Sequence, residues 1–144
     1  MPSADETLIL QGIIEIPQQQ VKLLMEAGYL YLNMERYTEA VQIFEGVSSL
    51  LPQSEVPIIA IGDSFAAQQQ NDKALKYYKI AVAKSPQNAF AHALVGATLL
   101  NLKKKDEALR FIQKAVELDL QGGNGKEYAL SLLSAVNMGL YDQK

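Results

Sequence analysis

Gly62 has a glycine 34 residues behind it, Gly28, and another 34 residues ahead, Gly96. Ala74 stands in the same way between Ala40 and Ala108, Phe65 between Tyr31 and Leu99, Tyr78 between Phe44 and Ile112, and Ala81 between Val47 and Ala115. With 9 glycines in 144 residues, a match on both sides arises by chance in roughly 0.4% of trials, and the alanine triplet is independent of it. A recurrence of this length restricts the chain to a stack of like units, each burying its apolar face against its neighbours. The frame is Val21–Ser54, Glu55–Asn88 and Ala89–Gly122.

Within each unit the apolar residues follow helical spacing. Leu24, Ala27, Gly28 and Tyr31 mark the inner face of a first helix over 18–34, and Ala40, Val41, Phe44 and Val47 that of a second over 37–50. Pro52 and Pro86 should stop the second helix of their units, because the ring removes an N–H and clashes with the preceding turn. Leu120 stands where the third unit's proline would be. Ser54, Asn88 and Asn71 are predicted helix caps, and Pro57 is tolerated in a first turn. Before the units, Leu8, Ile9, Ile13 and Ile16 predict a short helix over Asp5–Ile16, ended by Pro17. After them, Gln121–Gly125 reads as a flexible break. Lys126–Leu140 reads as a helix whose stripe Ala129, Leu132, Leu133, Val136 and Leu140 covers the open end of the third unit. The organisation is residues 1–16 as a leader, 17–122 as repeats and 123–144 as a cap and tail.

Composition excludes several classes of function. There is no cysteine, hence no disulfide, thiol nucleophile or thiolate metal site. No apolar run approaches the ~20 residues of a membrane span, and Met1–Glu6 lacks the basic start of a secretory signal. The net charge of −3 is uneven: residues 1–54 carry −5, and 55–102 and 103–144 carry +1 each. An acidic first third argues against nucleic acid, which requires clustered Lys and Arg. Lys103–Lys105 reads as a solvated turn. His92, the single histidine, matches Leu24 and Ile58 and so faces the packed interior. Gly62-Asp63-Ser64 lies in a helical pattern and lacks the strand-to-helix turn of a nucleophile elbow. Neither an enzyme nor a cofactor or metal site is expected.

A 34-residue helical unit with Gly at its eighth place, Ala at its twentieth and a bulky apolar residue at its twenty-fourth resembles the tetratricopeptide repeat. The resemblance implies an all-α fold, three helix-turn-helix repeats forming a right-handed superhelix closed by a C-terminal helix. It also implies that the glycines let paired helices approach opposite Ala40, Ala74 and Ala108, with Phe44, Tyr78 and Ile112 filling the space to the next repeat. In this family the first helix of each repeat lines a concave groove at the second, fifth, ninth, twelfth and thirteenth places. Here the binding residues are expected to be Met25, Tyr29, Leu32, Val56, Ile59, Asp63, Ala66, Phe90, Ala93, Ala97 and Leu100. Ile59 is expected at the centre, open to water in the free protein. The face is mostly apolar and lacks a Lys, Arg and Asn clamp for a C-terminal carboxylate. It suits the apolar side of a helix, unless residues 1–16 fold back onto it.

Size, acidity, the extra helix and the apolar groove resemble the small chaperones of bacterial type III secretion. The implied partners are the amphipathic helix of a needle-type export substrate and a small helical co-chaperone, in the bacterial cytoplasm, with no nucleic acid and no membrane span. The short leader and single final helix incline toward that needle branch. A translocator chaperone and a generic adaptor joining two folded proteins are the alternatives.

Overall fold

The computed structural model describes residues 7–10, 14–118 and 124–142. Thr7–Leu10 (β1) and Ile14–Pro17 (β2) pair antiparallel, with Thr7 opposite Pro17 and Leu10 opposite Ile14. The helix expected over Asp5–Ile16 is therefore corrected to paired strands where the chain is described. The residues carry a second pattern that the helical reading passed over. Thr7, Ile9, Ile14 and Ile16 are β-branched, and such side chains favour a pleated surface over a helix. Pro17 is the last residue of β2, and the helix from Gln18 begins directly after it.

From Gln18 onward the described chain is helical. The helices are α1 (Gln18–Asn33), α2 (Tyr37–Leu50), α3 (Val56–Ala67), α4 (Asn71–Lys84), α5 (Ala89–Asn101), α6 (Lys105–Leu118) and α7 (Asn124–Asn137). Each packs on its neighbours in sequence, and α5 also packs on α7. The order is that of three two-helix repeats followed by one further helix.

The turn inside each repeat is the same object three times. Glu35, Gln69 and Lys103, one repeat apart, adopt φ of 61°, 62° and 64°. The N–H that follows each one, on Arg36, Gln70 and Lys104, reaches back to the carbonyl of Tyr31, Phe65 and Leu99 at 2.9–3.0 Å. The N–H of Glu35, Gln69 and Lys103 bonds Leu32, Ala66 and Leu100 at 3.0 Å. These paired bonds satisfy carbonyls left open at a helix end, and the left-handed residue that makes them is usually glycine. Here it is a long polar side chain each time. The recurrence thus extends to a backbone strain that the sequence pattern does not reveal.

Helix ends follow the prolines. α2 stops at Leu50 and α4 at Lys84, each two residues before its proline, with Leu51 and Ser85 N–H bonded to Val47 and Ala81 carbonyls at 2.9 Å. Asn88 caps α5, its side chain accepting from Ala91 N–H at 3.0 Å. Ser54 Oγ accepts from Val56 N–H at 3.2 Å ahead of α3. Asn71 is not a cap: it is the first residue of α4, and Gln70 holds the cap position with no side-chain bond.

The glycines have the role that close packing demands. A Cβ at Gly62 would lie 2.6 Å from the Tyr78 ring, one at Gly96 2.5 Å from Ile112 Cγ1, and one at Gly28 inside the Phe44 ring. The large twenty-fourth residue of its own repeat lies against each glycine, and the Ala108 carbonyl would also be 3.3 Å from a Cβ at Gly96. Phe44 also joins a buried cluster with Ala60 and Ile61 of the next repeat, so one side chain stabilises both interfaces. The buried hydroxyls of Ser64 and Thr98 bond the carbonyls of Ala60 and Leu94, at 3.0 and 2.8 Å, and leave no orphan.

α7 resembles a fourth inner helix set two residues out of step. Beyond its end the chain turns at Gly139, φ 79°, with Leu140 N–H on the Ala135 carbonyl at 3.1 Å, the bond that closes α1, α3 and α5. The helix starts at Asn124 and stops at Asn137, so Leu140 lies beyond it and is exposed, unlike the expected stripe. Ala129, Leu132 and Val136 are buried as expected and Leu133 partly so. Of the expected break, Asn124 and Gly125 belong to α7 and residues 121–123 lie outside the described residues, as does Leu120. Gly125 is where α7 meets α5: a Cβ there would be 2.7 Å from Ala89 Cβ and from Phe90 N.

Candidate protein-binding groove

The expected groove residues divide into two groups. Ile59, Ala93 and Leu100 are buried in one cluster with Ala129, Leu132 and Val136 of α7. Their placement on a water-filled face is corrected. Ala89 and Gly125 are small enough to let α7 lie directly on α5. The remaining residues stay partly or fully accessible. Tyr29, Val56 and Phe90 are exposed. Met25, Leu32, Ala66 and Ala97 are half-buried against the cores of their repeats.

At the centre of the accessible group is Asp63. Tyr29 Oη donates to its Oδ2 at 3.0 Å, and Tyr78 Oη donates to its Oδ1 at 2.6 Å. Tyr29 and Asp63 occupy the ninth place of successive repeats, so this bond ties α1 to α3. Tyr78 reaches the same carboxylate from α4. Burial pushes the Asp63 carboxyl above the usual carboxylate range, against the two phenol hydrogen bonds, which pull it down. Burial and then the Asp63 charge push both the Tyr29 and Tyr78 phenols well up.

A further member comes from α7. The Tyr128 ring lies 5.6 Å from the Phe90 ring. Burial raises the Tyr128 phenol, followed by the charges of Tyr141 and Asp63. Sequence reasoning missed Tyr128. The signal was its spacing of four from Leu132, which puts it beside the apolar stripe of α7. Two aromatic pieces make up the wall of the site: Tyr29 and Tyr78 bonded to Asp63, and Phe90 against Tyr128.

His92 lies outside this wall. It is buried, Nε2–H donates to the Pro86 carbonyl at 2.9 Å, and the ring faces Phe111 at 6.1 Å, while Nδ1 has no partner. Lys105, from the basic turn, pairs with Asp142 at 2.9 Å. Among the described residues there is no group of three or more His, Cys, Asp or Glu that could hold a metal, and no helix long and apolar enough to cross a membrane.

Two family models described as tetratricopeptide repeat match residues 21–53 and 59–123, together more than half of the chain. The chain is a tetratricopeptide-repeat protein. The human protein O-mannosyl-transferase TMTC1 is 28% identical over 99 residues, 69% of this chain, which spans 11% of the length of that relative. Among solved structures, the Yersinia enterocolitica type III secretion translocator chaperone SycD superposes with a TM-score of 0.76 at 18% identity, covering 85% of this chain and 92% of SycD. SycD in complex with a peptide of the translocator YopD gives 0.73 at 19%, covering 88% and 99%. The first repeat domain of Spaghetti (RPAP3), bound to the HSP90 peptide SRMEEVD, gives 0.70 at 21%, covering 87% and 96%. At these identities the solved structures show a shared fold.

Proposed function

We propose that this chain is a binding protein that holds an apolar segment of an aggregation-prone partner, in the manner of a small type III secretion chaperone of the bacterial cytoplasm. One observation carries the reading: Tyr29, Val56 and Phe90 remain exposed on the first helices of the three repeats, and Tyr29 is bonded to Asp63. A partner helix or extended segment would cover them, and burial at ~25 cal/mol per Å² supplies the binding free energy, less the ordering cost. The peptide-bound SycD neighbour supports a translocator as the client. A needle subunit held together with a small helical co-chaperone is the second client that such a groove suits. The adaptor alternative has its neighbour in the RPAP3 domain, whose peptide is acidic. Here the acidic Asp63 at the groove centre opposes a ligand of that kind.

The test uses Val56→Asp and Phe90→Asp, both at exposed positions. The client is the protein recovered by pull-down from the native cell, chosen for aggregating when expressed alone. Each variant is expected to lose at least tenfold in affinity, ~1.4 kcal/mol, with its circular dichroism melt unchanged. Parental affinity in both variants would move the binding surface elsewhere.

A further inference from the structure

The aromatic wall has a charged centre that the apolar-groove reading leaves unused. Asp63 is largely withdrawn from water, and no ion pair is recorded for it among the described residues. Its partners are two neutral phenols, which fill about half of the hydrogen bonds a carboxylate accepts. A carboxylate held this way is fixed in position, since Tyr29 and Tyr78 grip it from different helices. Tyr29 is partly open to water beside it, whereas Tyr78 is buried. An arriving ammonium or guanidinium would gain the charge-assisted bonds that phenols cannot supply, and it would replace little water in doing so.

We propose that Asp63, gripped by Tyr29 and Tyr78, is a subsite for one lysine or arginine side chain of the segment docked in the groove. The subsite selects segments in which a single basic residue interrupts an otherwise apolar face, and it rejects segments presenting a carboxylate there. This rests on the groove being the binding surface.

The experiment is selection of a randomised peptide library, displayed on phage, against the immobilised full chain and its Asp63→Asn and Phe90→Asp variants. Asn can still accept from one phenol and donate to the other, so the site keeps its shape. Peptides selected by the parent are expected to carry one Lys or Arg at a fixed spacing from apolar anchors, and this preference should vanish against Asp63→Asn. For one such peptide, replacing the basic residue by norleucine should weaken binding to the parent about tenfold and leave binding to Asp63→Asn unchanged, the signature of a direct pair. Binding of the basic peptide to the parent should also strengthen as pH rises through the ionisation of Asp63. A basic preference that persists in Asp63→Asn, or none in the parent, overturns the subsite. If Phe90→Asp still abolishes binding in that case, the groove itself stands. Peptides insensitive to Phe90→Asp, or no peptides at all, overturn both. Should Asp63→Asn fail to fold, the norleucine comparison on the parent decides alone.

Discussion

In α5, nine residues are buried: Ala91 to Gly96, and Thr98 to Leu100. In α1, only Val21 and Gly28 are. Both helices are written to the same 34-residue pattern. The difference is concentrated at places that face the preceding repeat. Leu30 is 60% exposed, whereas its equivalents Ser64 and Thr98 are 0% and 5% exposed. Leu23 is exposed where Pro57 and Ala91 are buried. Leu23, Leu30 and Met34 thus leave an apolar stripe on α1 that no described repeat covers. Burial in a solenoid is decided by the neighbour, since each unit contacts only the adjoining ones. The residue types follow suit: where packing is closest, at Pro57, Ser64, Ala91 and Thr98, the side chains are small.

The sharpest way to break this comparison is a charge placed at matched positions. Ile59→Asp puts a carboxylate into the cluster shared by α3, α5 and α7. It should cost about 3 kcal/mol or more, because a buried charge without a partner is not solvated. Met25→Asp, at the equivalent half-buried place of α1, should cost less than half of that. Urea denaturation of both variants checks the order, and equal midpoints would mean that the two helices are packed alike.

A smaller effect comes from truncation. Leu99 is fully buried, so Leu99→Ala should cost about 2–5 kcal/mol. Leu30→Ala should stay within about 0.5 kcal/mol, as exposed substitutions do. A large loss at Leu30 would show that something covers the stripe on α1 in solution.

Asp63 sharpens the comparison at the seam between the first two repeats. Its carboxyl is raised in the folded chain above the unfolded value of 3.8. The folded state therefore holds the proton more tightly. Its contribution to stability is fully present below the unfolded value and is lost as pH rises through the raised folded value. Asp63→Asn has no such dependence. The stability of the variant relative to the parent should accordingly increase on going from strongly acidic to neutral pH, measured as a difference in melting temperature. A constant difference would remove burial as the dominant influence on Asp63.

The smallest expected effect concerns the turns. Gln69 sits at φ 62°, a conformation that costs a side chain energy and costs glycine none. Gln69→Gly should stabilise by about 0.5–1 kcal/mol, and Lys103→Gly by a similar amount. Thermal melts of the two single variants and the double would test this. No gain at either turn would mean that the long side chains offset the strain by other contacts.

The groove was only partly legible. Tyr29, Val56 and Phe90, expected to be open to water from their places in the 34-residue frame, are exposed. Ile59, Ala93 and Leu100 share those places and are buried. The frame gives a direction, and whether that direction holds water or α7 depends on how closely α7 can approach. That approach is set by Gly125 against Ala89, a contact between residues far apart in sequence and outside the repeat register. The aromatic and acidic wall has the same origin, since Tyr128 enters it from α7.

By itself, the sequence determined the repeat period, the helix ends at Pro52 and Pro86, and the need for close helix approach at Gly62 and Gly96. Each is local or recurs with the period, and a periodic pattern carries its own alignment. Tertiary structure alone decided the paired strands over residues 7–10 and 14–17, the left-handed turns at Glu35, Gln69 and Lys103, and the meeting of Tyr29 and Tyr78 at Asp63. A short apolar run suits either a strand or a helix until a partner is present. A strained φ is stable only when the helices on both sides fix it, and a carboxylate is withdrawn from water only when three separate helices close around it.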